Sequence, residues 1–214
     1  MASKLLLEDV LNWIRALRDV FTESKEYLTE LDAAIGDADH GINMARGFNA
    51  VFDALQQPPA DIGALFKLTS MTLIKSVGGA AGPLYGTFFL RAAAATADRT
   101  ELDAAAVVAF FDAGINGILQ RGKAERGDKT MVDALLPALE AMQAQLSEGA
   151  AGAESVSALI QRAAAAAAEG MKATIPIAAR KGRASYLGER SKGHQDPGAT
   201  SSYLMLKTAA ERWS

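Results

Sequence analysis

The sequence predicts an all-α protein, on three observations. Apolar residues recur at three- and four-residue steps in one stretch after another, no run of alternating β-branched residues competes with them, and Ala and Gly dominate over Val and Ile. At 214 residues, 50% of them hydrophobic, the chain is long enough to close one substantial core, so a single domain spanning 1–214 is expected.

Leu6, Val10, Trp13, Ile14, Leu17 and Phe21 mark the buried face of an opening helix that the spacing carries to about Leu31. A second helix over about 43–55 is closed by Gln56-Gln-Pro-Pro59, since two prolines cannot continue it. Asp61 stands as N-cap of a third, over 61–76. Further helices read as 83–97, 102–121, 130–147, 153–172 and 199–213, the one at 102 with a capping-box-like start on Thr100 and Asp103. The alanine run 163–168 belongs to a tightly packed helix and has no chemical role. The count is eight helices, without an internal repeat.

Composition excludes several function classes. With no cysteine there is neither a disulfide framework nor a thiolate metal site, so a metal must be held by oxygen or imidazole; this fits a reducing cytoplasm. A formal charge of −3 offers no general attraction to nucleic acid or anionic membrane. Met1 to Glu8 lacks the pattern of a signal peptide, and no 18-residue apolar run occurs, so a soluble cytoplasmic protein is expected.

Chemistry concentrates in four connections, 32–43, 77–86, 122–131 and 178–200, which hold most of the glycines and both histidines. In an up-and-down bundle alternate connections share one end, so these four are placed to converge. In the first, Asp37 and Asp39 project to one side of an extended segment and Asp32 returns from the preceding helix. Three convergent carboxylates repel unless a cation neutralises them, and a hard oxygen set suits Mg²⁺, whose shell substrate phosphates complete. The alternative is that Asp37 and Asp39 cap the next helix while Gly36 and Gly41 supply turns. His40 is open to metal, phosphate or capping roles, and Asn43 alone says little.

Ser76-Val-Gly-Gly-Ala-Ala-Gly-Pro-Leu-Tyr-Gly-Thr87 places small residues before a helix, where backbone N–H groups face a phosphate or where helices pack closely. Gly117 to Ala124 comes within one residue of a P-loop, but Ala124 stands where Ser or Thr must bind magnesium and a helix precedes it, so a P-loop fold is rejected. The segment 179–201 sets Arg180, Lys181, Arg183, Arg190 and Lys192 against Glu189 and Asp196. It is a phosphoryl clamp, a docking surface anchored by residues such as Tyr186, or a solvated loop.

Taken in order, Gly36-Asp-Ala-Asp-His-Gly41, Ser76 to Gly86, Arg121-Gly-Lys-Ala-Glu-Arg-Gly-Asp-Lys-Thr-Met131, and Ala179 to Arg190 with His194-Gln-Asp-Pro-Gly-Ala-Thr-Ser201 resemble the L subunits of dihydroxyacetone kinases over nearly the whole chain. The resemblance implies an eight-helix antiparallel barrel with ADP or ATP bound in the loops at one end. It implies two Mg²⁺ ions held by Asp32, Asp37 and Asp39. His40, Gly41, Asn43, Ala81 and Gly82 would approach the phosphates or ribose; Gly122, Thr130 and Met131 would enclose the nucleoside. Arg180, as the catalytic residue, and the Asp196-Pro-Gly198 turn would complete the site. Ala81 departs from relatives that carry Ser or Thr there, a difference of about 1 kcal/mol for one hydrogen bond.

The resemblance further implies a separate K subunit that holds the ketose covalently on its own histidine. In the phosphoenolpyruvate-dependent form, ADP stays bound and is rephosphorylated by a phosphotransferase-system M subunit. Three rivals stand beside this: an ATP-dependent kinase subunit for another short ketose, a stand-alone magnesium-dependent phosphohydrolase, and a non-enzymatic module similar to the nucleotide-binding domain of bacterial fatty-acid kinases.

Overall fold

The amphipathic stretches fold as helices, and the chain is all-α apart from one pair of three-residue strands among the described residues of this computed structural model, 4–148 and 155–214. The helices are α1 Leu7–Glu23, α2 Lys25–Ile35, α3 His40–Ala54, α4 Ile62–Ser76, α5 Ala81–Ala95, α6 Ala104–Gly122, α7 Val132–Glu148, α8 Val156–Ala173 and α9 Pro197–Arg212. The strands are β1 Lys4–Leu6 and β2 Glu101–Asp103, paired antiparallel with Leu5 opposite Leu102. The expected helix start at 153 lies outside the described residues, as does the extreme N-terminus, 1–3. No described helix is long and apolar enough to cross a membrane.

Helix α1 packs on α3, each helix from α3 onward packs on the next in chain order, and α9 returns to α1. The interior of this ring of neighbours is aromatic. Trp13 of α1 lies 5.0–6.3 Å, centroid to centroid, from Phe66 of α4, Phe89 of α5, Phe111 of α6 and Trp213 after α9. Its indole N–H donates to the Met205 carbonyl at 3.1 Å, so the buried ring leaves no polar group unpaired. Ala163, Ala164 and Ala167 are buried on α8, where small side chains let the helices approach closely. Pro137 lies inside α7 and withholds a donor from the Asp133 carbonyl; Gly170 of α8 packs so tightly against that oxygen that a Cβ would collide with it.

Most expected ends fall within three residues of the observed ones, and three differences go deeper, the first of which makes nine α-helices among the described residues where eight were expected. The opening helix does not run unbroken to Leu31 but kinks at Ser24 (φ −87°, ψ 3°). Leu28, Asp32 and Ile35 follow Phe21 at steps of seven, four and three residues, so periodicity carries across the bend, beyond which α2 packs on α3 and α9. Leu6 is not on the buried face: in extended backbone successive side chains alternate, and Leu5 is buried while Leu6 is 56% exposed. Residues 101–103 are strand, and α6 begins at Ala104, whose N-cap Asp103 accepts from the Ala106 N–H at 2.8 Å. Thr100 instead accepts the Leu7 N–H through its carbonyl.

The connections alternate between two ends. Those between α2 and α3, α4 and α5, α6 and α7, and α8 and α9 meet in one cleft. At the other end the segments before α4 and α6 are joined to each other and to the N-terminus by Ile62 N–H to Arg99 O, Leu7 N–H to Thr100 O and the strand pair.

Candidate functional site

Asp32 sits in the last turns of α2, 7% exposed, and one of its carboxylate oxygens accepts the backbone N–H groups of Asp39 (2.9 Å) and His40 (3.1 Å). It therefore caps α3 from another helix. Gly36 makes this approach possible, because a Cβ there would strike the second Asp32 oxygen. Ala38 between the other two aspartates is held at φ +62°, a conformation uncommon for a residue with a side chain. Asp39 occupies the N-cap position of α3; its carbonyl accepts the Asn43 N–H at 2.8 Å, but its carboxylate takes no bond from the helix. Capping does not use up the carboxylates of Asp37 and Asp39, and each of the three aspartates offers an oxygen within 4.8 Å of the others. Such a hard, acidic oxygen set fits a divalent cation of the Mg²⁺ type.

Around this group lie the N-terminal turns of four helices. His40 at the start of α3, Ala80 and Ala81 at α5, Met131 before α7, and Pro197 and Gly198 at α9 line one cleft, and Gly78 and Gly79 (φ +63°) bring backbone alone to its wall. The positive ends of helix dipoles and their free N–H groups favour an anion. A cation trap and an anion cradle thus share one space.

His40 Nε2 lies 2.9 Å from the Ser201 hydroxyl, which donates to the Gly198 carbonyl at 3.0 Å and lies 2.7 Å from the Tyr85 hydroxyl. The Ser201 hydroxyl thus links His40, Tyr85 and the start of α9 in one hydrogen-bonded chain. Burial pushes the His40 pKa down against the opposing pull of Asp32 and Asp39. Tyr85 is pushed up to about 12 by burial, which keeps it a protonated link in this chain. Asn43, buried, accepts from Arg46.

The basic segment is more ordered than a solvated loop: Arg183–Ser191 forms a 3₁₀ helix kinked at Gly188. Arg183 pairs with Asp37 at 2.8 Å and lines the cleft. Arg180 pairs with buried Asp128 at 2.9 Å and lies beside Gly127, outside the cleft lining. Asp196 caps α9 through the Ala199 N–H at 2.6 Å; burial foremost raises its pKa to about 7, with Asp133 and Asp32 adding to the rise and Lys129 opposing it.

Of the residues singled out from the sequence, Asp32, Asp37, Asp39, His40, Asn43, Ala81, Thr130, Met131, Asp196 and Gly198 line the cleft. Gly41, Gly82 and Gly122 do not. A Cβ on Gly41 would meet the Lys25 carbonyl, and one on Gly82 the Val77 carbonyl, so these glycines let the supporting backbone close behind the site. Lys129, Asp133, Tyr85 and Ser201 were missed as site-building residues. Their sequence signals, a lysine in a turn and polar residues early in a helix, are those of any solvated position.

A family model described as the DAK2 domain matches residues 34–211. The PEP-dependent dihydroxyacetone kinase ADP-binding subunit DhaL of Escherichia coli K12 is 48% identical over 202 residues, 94% of each chain. The PTS-dependent dihydroxyacetone kinase ADP-binding subunit DhaL of Lactococcus lactis is 40% identical over 97% of this chain and 98% of its own. The crystal structure of the C. freundii dihydroxyacetone kinase in complex with AMP-PNP and Mg²⁺ superposes with a TM-score of 0.69 at 28% identity, covering 94% of this chain and 33% of that longer one.

Proposed function

The chain belongs to the DAK2 domain family, and from that premise we propose that it is the ADP- or ATP-binding subunit of a multi-component dihydroxyacetone kinase, a cytoplasmic phosphotransferase component folded as one domain over 1–214. The observation that carries this reading is the meeting, in one cleft, of three carboxylates whose oxygens lie within 4.8 Å of one another and the N-termini of α3, α5, α7 and α9. Separately, each half suits many ligands. Together they suit a polyphosphate that arrives with its divalent cation.

Asp32, Asp37 and Asp39 hold the Mg²⁺, two ions in this proposal. When bound, the metal supplies neutralisation of phosphate charge and in-line orientation for phosphoryl transfer. His40, Asn43, Ala81 and the backbone of the turn from Gly78 to Ala80 orient the phosphates, and Thr130, Met131 and Gly198 bound the nucleoside. Arg183, already over Asp37, stands nearer the cleft than Arg180; Arg180 enters the reading as the charge that stabilises the transferred group once a partner docks. The chain's own residues bind, orient and exclude water, and none acts as a nucleophile.

In this reading the ketose is carried by a separate K subunit, and the ultimate donor is phosphoenolpyruvate delivered through a phosphotransferase-system M subunit; the relatives named PEP-dependent and PTS-dependent support the donor. The test is to purify the chain without added nucleotide, denature it and identify the released small molecules. Stoichiometric ADP is expected; an empty chain that binds Mg·ATP reversibly would move the reading to an ATP-exchanging kinase. Rapid phosphorylation of free dihydroxyacetone by the chain alone would overturn it.

A further inference from the structure

Lys129 carries two features that oppose folding at one position. It is 1% exposed, and its backbone sits at φ +63°, where a residue with a side chain is disfavoured. Its ammonium donates to the carbonyl oxygens of Thr174 (2.6 Å), Ile177 (3.1 Å) and His194. An ammonium has three protons, so all are committed, and although Lys129 lines the cleft it keeps no donor for a ligand. Asp196 and Asp133 flank it and favour its charged form against burial. Asp133 also holds the turn that carries it, accepting the N–H groups of Gly127 and Thr130.

The three carbonyls all belong to the connection between α8 and α9, two at its start and one just before Asp196. That connection has little apolar anchorage of its own: Ala179 and Ala184 join Ile35 and Leu187 in a small cluster apart from the main core. Two partly exposed ion pairs, Arg180 with Asp128 and Arg183 with Asp37, hold its middle, but such pairs contribute little, and Lys181, Arg190 and Lys192 add like charge.

We propose that Lys129 is a positioning residue of the nucleotide site: its ammonium ties both ends of the 174–196 connection to the turn before α7, and thereby sets the N-terminus of α9 and Arg183 against the cleft. This rests on the nucleotide reading above. A segment ordered before binding spares the ligand that ordering, so the tie acts on affinity although it touches no ligand.

The test uses Lys129→Met and Lys129→Gly in the full chain. Glycine accepts φ +63° without strain, so it removes the ammonium while easing the backbone and keeps the test open if Lys129→Met fails to fold. Amides of 175–195 are expected to exchange faster while those of α4 to α6 stay as in the wild type, and affinity for Mg·ADP by calorimetry is expected to fall about tenfold or more. n-Butylammonium added to Lys129→Gly is expected to restore both readouts, and n-butanol neither. Uniformly faster exchange through every helix, or a loosened 175–195 with unchanged affinity, would overturn the proposal. If the wild type itself does not bind Mg·ADP, the nucleotide reading fails, and unchanged exchange of 175–195 in Lys129→Gly would refute the tie separately.

Discussion

The two ends of the molecule use the same residue type at the same helix position for different ends. Before α4 and α6, at the end away from the cleft, Asp61 and Asp103 each accept a backbone N–H of the third helical residue at 2.8 Å. Before α3, in the cleft, Asp39 makes no such bond, and Asp32 of another helix does the capping in its place. At the far end the backbone closes on itself through the β1–β2 pair and the Ile62 and Leu7 bonds. At the cleft end side chains hold the backbone, with Ala38, Lys123 and Lys129 at positive φ; at the far end Asp98 is the one such non-glycine residue among the described residues. An aspartate that caps is satisfied and stabilises; one left over among like charges is held there at a cost in stability, which marks it for a ligand.

Neutralising Asp37 and Asp39 together breaks the contrast most sharply. Asp37→Asn with Asp39→Asn is expected to lower Mg·ADP affinity by about 100-fold or more, with the urea midpoint little changed, because the like-charge contact relieved and the half-exposed Asp37–Arg183 pair lost offset each other. Calorimetry beside a denaturation curve measures both. Next come paired glycine substitutions. Gly36→Ala drives a methyl into the Asp32 carboxylate and is expected to weaken binding about tenfold, since a displaced ligand oxygen is lost to the metal. Gly63→Ala at the far end meets the Ala97 Cα at 2.9 Å, and is expected to destabilise by about 1–3 kcal/mol with binding intact. Equal effects of the two on binding would dissolve the distinction between the ends.

Asp196 sharpens the comparison through pH. Its folded pKa of about 7 exceeds the ordinary 3.8, so the native state binds the proton more tightly. Its contribution to stability is fully present below pH 3.8 and is lost as pH rises to about 7. Against the wild type, Asp196→Asn is expected to flatten that decline in urea midpoints. The smallest effect is that of Asp61→Ala, a lost N-cap of about 1 kcal/mol with no change in nucleotide affinity.

The fold was legible where one helix face supplied enough apolar residues to announce itself, as in α1 from Val10 to Phe21 and in α6. It was not legible at Ser24, where backbone hydrogen bonding runs on through a bend, or at residues 4–6 and 101–103, whose three-residue strands are too short to leave a pattern. Within the cleft, Asp37 and Asp39 were legible because they are neighbours in a turn of small residues. Asp32 was expected among them, yet its dual use as cap and cluster member depends on Gly36 leaving it room.

Sequence alone was enough for the class, through helical periodicity without a competing strand pattern, for the N-cap at Asp61 and for the order of the four motif-bearing connections; that Asp103 and not Thr100 caps α6 came from the fold. Only tertiary structure decided which carboxylates are free, that Arg183 and not Arg180 reaches the acidic group, and that a lysine in a turn gathers carbonyls from residues 45 to 65 positions away. Periodicity and capping are local, written within one or two turns of helix. The others depend on where separate segments meet, and that is settled by how α2, α7 and α9 pack around the shared core.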